Sequence, residues 1–506
     1  MDIEHLTRLQ FAVTTLYHYL FVPLSISLAL SAALLQTSAA VLSRRGAAAR
    51  ADVHGRLALL TGKLLMATFA VGVVTGLVQE FQFGLSWSDF ARFYGDVFGP
   101  TLAVEGMLAF FLEATFLGLW WFGRDRLPGA VHLATIWVVA VGTTISAFVI
   151  LAANSFMQNP VAYTIDETTG RARLGSFRDL LLNEVNLAAF PHTMAGAVMA
   201  GGALLMAVGV WHLLRGGHEP GSEQFGAFRT LSRFGAWLTL AGGAATAASG
   251  DLLGKVITQV QPMKMAAAEA LYETTTAAPF SVFAYAPPGS ERPTFSLEVP
   301  GLLSFLAKGS FTAEVSGMAD LQAAYTARFG PGDYTPWVPV AFWSFRLMIG
   351  VGMLAAAVAL VHLWVTRPGR AIAVDTKLAS SVLWSVPVLP LLPLAANSFG
   401  WIFTETGRQP WLVLGLYRTS DGVSPGLTAA EVVVSLIAFT LVYGALAWVW
   451  TLLVTRLVRR GLPDAPPVQR AATGATGTGE AAGARAGSGF GSDADADDDA
   501  DVALTY

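Results

Sequence analysis

The chain has 506 residues, 54% of them hydrophobic and only 13% charged, against the roughly 25% charged of a soluble domain, which marks an integral membrane protein. It contains no cysteine, which excludes disulfides, Cys-ligated iron–sulfur clusters, thiolate-bound haem and covalently attached c-type haem. The formal net charge of −4 owes much to an acidic tail, and no basic patch points to nucleic acid.

Apolar runs between charged or Pro/Gly-rich breaks are centred on residues 11–35, 57–79, 100–122, 130–152, 187–214, 230–249, 338–365, 378–403 and 431–454, each close to the ~20 residues that cross a bilayer as a helix. The first is too long for the apolar part of a signal peptide, so it reads as a retained span. The expected fold is all-α, a polytopic membrane bundle of about nine transmembrane helices. Spans one to six occupy 1–250 and spans seven to nine occupy 338–462. Residues 251–337 form an extracytoplasmic connection of mixed polarity, and loops of that length are usually functional. Residues 463–506, rich in Ala, Gly and Asp, read as a disordered cytoplasmic tail. No internal repeat is evident.

Basic residues cluster in alternate connections. Arg44, Arg45, Arg50 and Arg56 follow the first span, Arg124 and Arg126 the third, and Arg215, Arg229 and Arg233 flank the link between the fifth and sixth. Arg367, Arg370 and Lys377 follow the seventh, and Arg456, Arg459 and Arg460 the ninth. The positive-inside rule puts these connections in the cytoplasm, the N-terminus outside and the C-terminus inside.

A charge in the bilayer core costs a few kcal/mol on insertion scales, so each polar residue within a span needs a reason. Lys63, His132, His212 and His362 lie near inner helix ends and read as snorkelling or interfacial packing. His18, Glu105, His192, Arg346, Met348, Glu405 and Arg408 instead fall at similar depth in the outer half of the membrane, which marks a site. Glu113 lies eight residues beyond Glu105, about 12 Å deeper and about 80° around a regular helix. That spacing suits a proton relay; the structural alternative is a neutral glutamate hydrogen-bonded between helices.

Two deep histidines, a methionine and carboxylates, without cysteine, suit haem better than zinc or calcium. His192 and Met348, on different helices at similar depth, make a suitable axial pair for a low-spin haem, although a lone Met in an apolar helix is ordinarily packing. Arg8, Arg346 and Arg408 gather at the outer level, where an arginine can neutralise haem propionates. With 8 histidines in the whole chain, neither a haem–copper oxidase subunit nor a b-type cytochrome of the complex III kind fits.

These residues sit in stretches that resemble subunit I of the cytochrome bd quinol:oxygen oxidases. The stretches are "RLQFAVTTLYHYLFVPL" around His18, "GLVQEFQFG", "YGDVFGPTLAVEGMLAFFLEATF" with Glu105 and Glu113, "NSFMQNPVAY", and "FPHTMAGAVMAGG" with His192. They continue with "QPMKMAAAEALYET" containing Lys264 and Glu269, "FWSFRLMIGVG" with Met348, and "GWIFTETGRQPW" with Glu405 and Arg408. Any one is weak; together, in this order on about nine spans, they are specific, and they cover nearly everything outside the tail.

The resemblance implies that His192 and Met348 ligate a low-spin haem b that receives electrons from quinol. It implies that His18 and Glu405 are axial ligands of two high-spin haems, one b-type and the other haem d or a further haem b in its place, where O2 becomes water. Family members differ in which high-spin haem occupies which pocket, so neither is assigned to His18 or Glu405. Glu105 is similar to the family's carboxylate at the oxygen-reducing haem, and Trp401 to an aromatic between the haems. Lys264 and Glu269 match the pair that binds the quinol head group and accepts its protons. Quinol protons would then leave outside and those for water come from the cytoplasm, with Glu113 as relay. The loop after Lys264 resembles the shorter variety, so a choice between menaquinol and ubiquinol does not carry over. The implied setting is the bacterial plasma membrane, as a heterodimer with subunit II, with room for a small accessory membrane subunit.

Two other classes compete. A proton-coupled membrane transporter could use the intramembrane Glu and Arg, but such proteins usually show internal repeats and helices broken near the midplane. A haem-binding scaffold without oxidase activity would keep His192 and Met348 without needing Glu105, Glu113 or the Lys264 loop.

Overall fold

The computed structural model describes residues 2–215, 219, 221–285, 294–369, 377 and 385–464. The long helices among them are α1 (Ile3–Arg44), α2 (Ala48–Leu85), α3 (Ser88–Phe122), α4 (Gly129–Gln158), α5 (Glu184–Arg215), α6 (Glu223–Val260), α7 (Val338–Val365), α8 (Leu391–Thr406) and α9 (Ala429–Arg460). All but α6 are long and apolar enough to cross a membrane, α8 when counted together with the turn before it as Val386–Thr406, giving eight such segments among the described residues.

The helix ends follow local rules. At the start of α9, Thr428 Oγ1 accepts from the backbone N–H of Glu431, and the Glu431 carboxylate accepts from the N–H of Thr428 at 2.8 Å, which satisfies two of the first turn's orphan donors. Arg459 and Arg460 occupy its last turn, where the helix dipole favours cations. Ser222 caps α6 through the N–H of Phe225. The start expected for the eighth span, residues 378–384, lies outside the described residues; α8 follows a 3-10 turn at Val386–Val388 and ends at Thr406.

The sixth span is a helix, as its position requires, but a less apolar one because its interface is built from small residues. A Cβ on Gly235 would lie 2.3 Å from the backbone N of Met206, and one on Gly202 would lie 2.7 Å from the carbonyl of Gly235. The backbones of α5 and α6 therefore touch, the close packing that small residues permit between membrane helices.

One departure from regular geometry falls inside α3, where Glu105–Phe110 is a π-helix. The wider i→i+5 turn rotates less than 100° per residue and so cancels part of the about 80° expected between Glu105 and Glu113 on a regular helix.

A core of Leu28, Leu57, Leu64, Ile136, Leu205 and Phe228 fills one end of the bundle. At the other end, Trp87, Tyr94, Phe156 and Val413 pack beneath the short hairpins Tyr163–Ile165 with Ala172–Leu174 and Trp411–Val413 with Tyr417–Arg418. The connection from α6 to α7 carries helices Pro262–Ala268, Leu302–Lys308 and Met318–Phe329 and a hairpin of Phe280–Tyr285 with Phe295–Val299. The tail from 465 onward lies outside the described residues.

Candidate active site

The starts of α1, α3, α5 and α7 and the ends of α2, α4, α6 and α8 converge on one cavity of about 1950 Å³. A chain that reverses at each helix brings those ends to the same side. The volume exceeds the roughly 300–1,000 Å³ of a single small-molecule site. His18, Glu105, Glu113, His192, Lys264, Glu269, Met348, Trp401, Glu405 and Arg408 line it, with Arg8 among them. Side chains spread over nearly 400 positions thus share one wall system. Arg346 is not among the lining residues.

His18 and His192 are each held by the ring nitrogen that faces a neighbouring helix. His192 Nδ1 lies 3.1 Å from the carbonyl of Thr246, which can only accept, so Nδ1 carries the proton and Nε2 keeps its lone pair. His18 Nδ1 lies 3.0 Å from Thr75 Oγ1, whose own hydrogen is committed to the carbonyls of Val71 and Gly72. That hydroxyl accepts from the ring and again leaves Nε2 as a donor atom for a metal. This is how metal-ligating histidines are generally oriented. Glycines give the ligand positions room. Cβ atoms would lie 3.1 Å from His18 Cε1 at Gly76, 3.1 Å from His192 Cε1 at Gly250 and 2.8 Å from Met348 Sδ at Gly400.

Among the described residues no group of three or more His, Cys, Asp or Glu could enclose a bare metal ion. Two imidazoles, a thioether and a carboxylate on separate helices fit iron in a macrocycle, which takes one or two axial ligands from the protein. The Glu405 carboxylate accepts from Asn154 Nδ2 at 2.9 Å and from Arg408 Nη2 at 2.5 Å. Arg408 also donates from Nε to the Trp411 carbonyl, and its buried Nη1 has no hydrogen-bond partner among the described residues. It is thus available to an anionic group in the cavity.

On α3, Glu105 Oε1 accepts from Ser146 Oγ at 3.1 Å, while the buried Oε1 of Glu113 has no partner among the described residues. In the loop, Lys264 and Glu269 take separate partners. Lys264 donates to Gln158 Oε1 at 2.9 Å, and burial, helped by repulsion from Arg408, pushes its ammonium down to about 7. Glu269 forms an ion pair with Arg346 at 2.6 Å. Burial still pushes its carboxyl up to about 6, with Arg346 opposing. Arg346 further donates to the carbonyls of Ala268 and Ser281 and lies over the rings of Phe280 and Phe342. Its guanidinium pins the loop to α7. At the exposed start of α1, Arg8 reaches Glu4 at 3.7 Å.

Two histidines of the spans that do not line the cavity have partners within the bundle. His132 bonds Gln36 and the Trp120 carbonyl, each at 2.8 Å, and His212 bonds the Val458 carbonyl at 2.8 Å.

The family model described as cytochrome bd terminal oxidase subunit I matches residues 6–462. The chain belongs to that family. It is 42% identical to cytochrome bd ubiquinol oxidase subunit 1 of Bacillus subtilis strain 168, over 90% of this chain and 93% of that protein. It is 34% identical to cytochrome bd-II ubiquinol oxidase subunit 1 of Escherichia coli K12, over 87% and 93%. Among solved structures it matches the bd oxidase from Geobacillus thermodenitrificans with a TM-score of 0.78 and 28% identity, covering 91% of this chain and 99% of that one. Cytochrome bd subunits I are multi-pass membrane proteins of terminal oxidases and carry haem. The transporter alternative has no support in these matches.

Within this cytochrome bd subunit, sequence reasoning passed over the residues that hold the candidate ligands. Thr75 and Thr246 orient the histidines, and Asn154 and Gln158 contact Glu405 and Lys264. Asn154 and Gln158 carried a usable signal, two amides four residues apart at the end of a membrane helix. The Thr246 carbonyl carried none, because every residue has one.

Proposed function

We propose that this chain is the haem-bearing catalytic subunit of a terminal oxidase that oxidises quinol at the outer face of the bacterial plasma membrane and reduces O2 to water with protons from the cytoplasm. Charge is then separated without pumping. The observation that carries this reading is that His18 and His192 each commit Nδ1 to a neighbouring helix and keep Nε2 for the cavity that Met348 and Glu405 also line.

His192 and Met348 would hold a low-spin haem b, and His18 and Glu405 two high-spin haems, one of type b and the other haem d or a further haem b. Haem at these positions supplies one-electron transfer and oxygen reduction. Arg408 offers Nη1 to a propionate, Arg8 adds positive charge at the same end, and Trp401 lies in the wall between helices. Lys264 and Glu269 bind the head group of menaquinol or ubiquinol; with Lys264 near 7 and Glu269 near 6, both can exchange a proton close to neutral pH. Arg346 serves this pair by fixing Glu269. Glu113 and Glu105, brought toward one face by the π-turn, hold protons on their way from the cytoplasm, with Ser146 orienting Glu105. The working assembly is a heterodimer with a second membrane subunit, with room for a small accessory one.

A reduced-minus-oxidised absorption spectrum of membranes carrying the protein tests this directly. Low-spin and high-spin haem bands are expected, and His192→Ala or Met348→Leu should each remove the low-spin signal. Spectra without haem bands would overturn the reading, and survival of the low-spin band in both variants would overturn the ligand assignment.

A further inference from the structure

Four side chains from three separate parts of the chain form one directed hydrogen-bond series in the cavity wall. Lys264 Nζ donates to Gln158 Oε1 at 2.9 Å, Gln158 Nε2 donates to Asn154 Oδ1 at 2.8 Å, and Asn154 Nδ2 donates to Glu405 Oε1 at 2.9 Å. Lys264 belongs to the loop helix Pro262–Ala268, the two amides are one turn apart at the end of α4, and Glu405 is in the last turn of α8. Lys264 and Gln158 are almost completely buried, where hydrogen bonds are stronger and unmade ones costlier than in water.

The series has a fixed polarity. An ammonium group can only donate and a carboxylate can only accept, while each primary amide has one donor end and one acceptor end. With Lys264 at one end and Glu405 at the other, both amides must point the same way. Turning either one breaks two bonds. The lysine is also placed mechanically. A Cβ on Gly407 would lie 2.6 Å from Lys264 Cγ, so only glycine lets the lysine stem cross the end of α8, two residues beyond Glu405. Gln261 Nε2, donating to the Gln158 carbonyl at 2.7 Å, ties the start of the loop helix to the same turn of α4.

We infer that Gln158 and Asn154 are positioning residues through which Lys264 in the outer loop sets the orientation of the Glu405 carboxylate. The inference rests on the proposed role of Glu405 as an axial ligand. No proton passes along the series; what it transmits is orientation. A quinol oxygen that draws Lys264 Nζ away from Gln158 frees both amides to turn, and Glu405 loses the donor that holds Oε1. Occupancy of the loop is thereby felt at the ligand position, and the coupling is reciprocal.

The test uses the purified membrane complex and reads absorption spectra and redox titrations rather than turnover. Gln158→Met, which keeps the volume but removes both hydrogen bonds, should shift the high-spin bands and midpoint while the low-spin bands stay as in the wild type. Lys264→Met should shift them in the same direction. The double variant should shift no further, because both changes cut one series and are therefore not additive. High-spin bands and midpoint unchanged in Gln158→Met would overturn the inference, as would fully additive shifts. If Gln158→Met does not retain the low-spin band, Gln158→Glu, which turns the amide donor into an acceptor at the same shape, carries the same expectations. A wild-type complex without haem bands would instead sink the functional reading itself.

Discussion

Thr75 Oγ1 lies 3.0 Å from His18 Nδ1 and can only accept from it, because its own hydrogen is shared between the carbonyls of Val71 and Gly72. One hydroxyl on α2 thus determines which nitrogen of a histidine on α1 faces the cavity. Thr75→Val keeps the shape and removes the acceptor. Loss of an outer-shell partner typically costs about 10–100-fold in metal affinity, so the group held at His18 should be depleted while the low-spin haem stays. Haem-to-protein ratios together with spectra check this, and unchanged high-spin content would remove Thr75 from the site.

The Arg346–Glu269 pair at 2.6 Å is buried on both sides. Arg346→Met leaves a buried carboxylate without its partner, which should cost about 3–5 kcal/mol, whereas replacing both partners by apolar residues of similar size should restore much of that. Thermal unfolding of the purified protein should therefore rank Arg346→Met below Arg346→Met/Glu269→Leu. The reverse order would show that the pair does not anchor the loop.

Burial lowers Lys264 from its ordinary 10.5 to about 7. Between those values the unfolded chain binds a proton that the folded chain does not, so stability rises with pH across that window and is lost as pH falls toward 7. Lys264→Met should flatten this slope. Unfolding midpoints from pH 7 to pH 10 measure it, and an equal slope in both proteins would contradict the burial argument.

At the α5–α6 contact, a Cβ on Gly235 would lie 2.3 Å from the backbone of Met206, while one on Gly226 of the same helix meets nothing within 4 Å. Gly235→Ala should destabilise by about 1–3 kcal/mol through overpacking. Gly226→Ala should be neutral or stabilising by roughly 0.5–1 kcal/mol through helix propensity. Similar unfolding temperatures for the two would mean that α5 and α6 do not touch as described.

Glu113 presents a buried carboxyl oxygen without a partner among the described residues, on the same cavity as Glu105. Glu113→Gln, isosteric and unable to carry the proton, should slow oxygen consumption at least tenfold, within the 10²–10⁴ range of acid–base contributions or just below it, with haem spectra intact. An unchanged rate would return this residue to a packing role.

The chain itself determined the spans, the alternation that brings His18, Glu105, His192, Met348 and Glu405 to one end of the bundle, and the Thr428-x-x-Glu431 cap. Hydropathy, charge placement and capping are properties of single residues and near neighbours, so they can be read along a line. Only the tertiary structure decided that Arg346 clamps Glu269, that Lys264 reaches Gln158, that Thr75 and the Thr246 carbonyl choose the histidine tautomers, and that a π-turn lies at Glu105. A hydrogen bond requires two atoms within about 3 Å at a defined angle. Whether they meet depends on how far each helix is rotated about its axis, which is fixed by packing such as the Gly202–Gly235 approach and not by any residue alone.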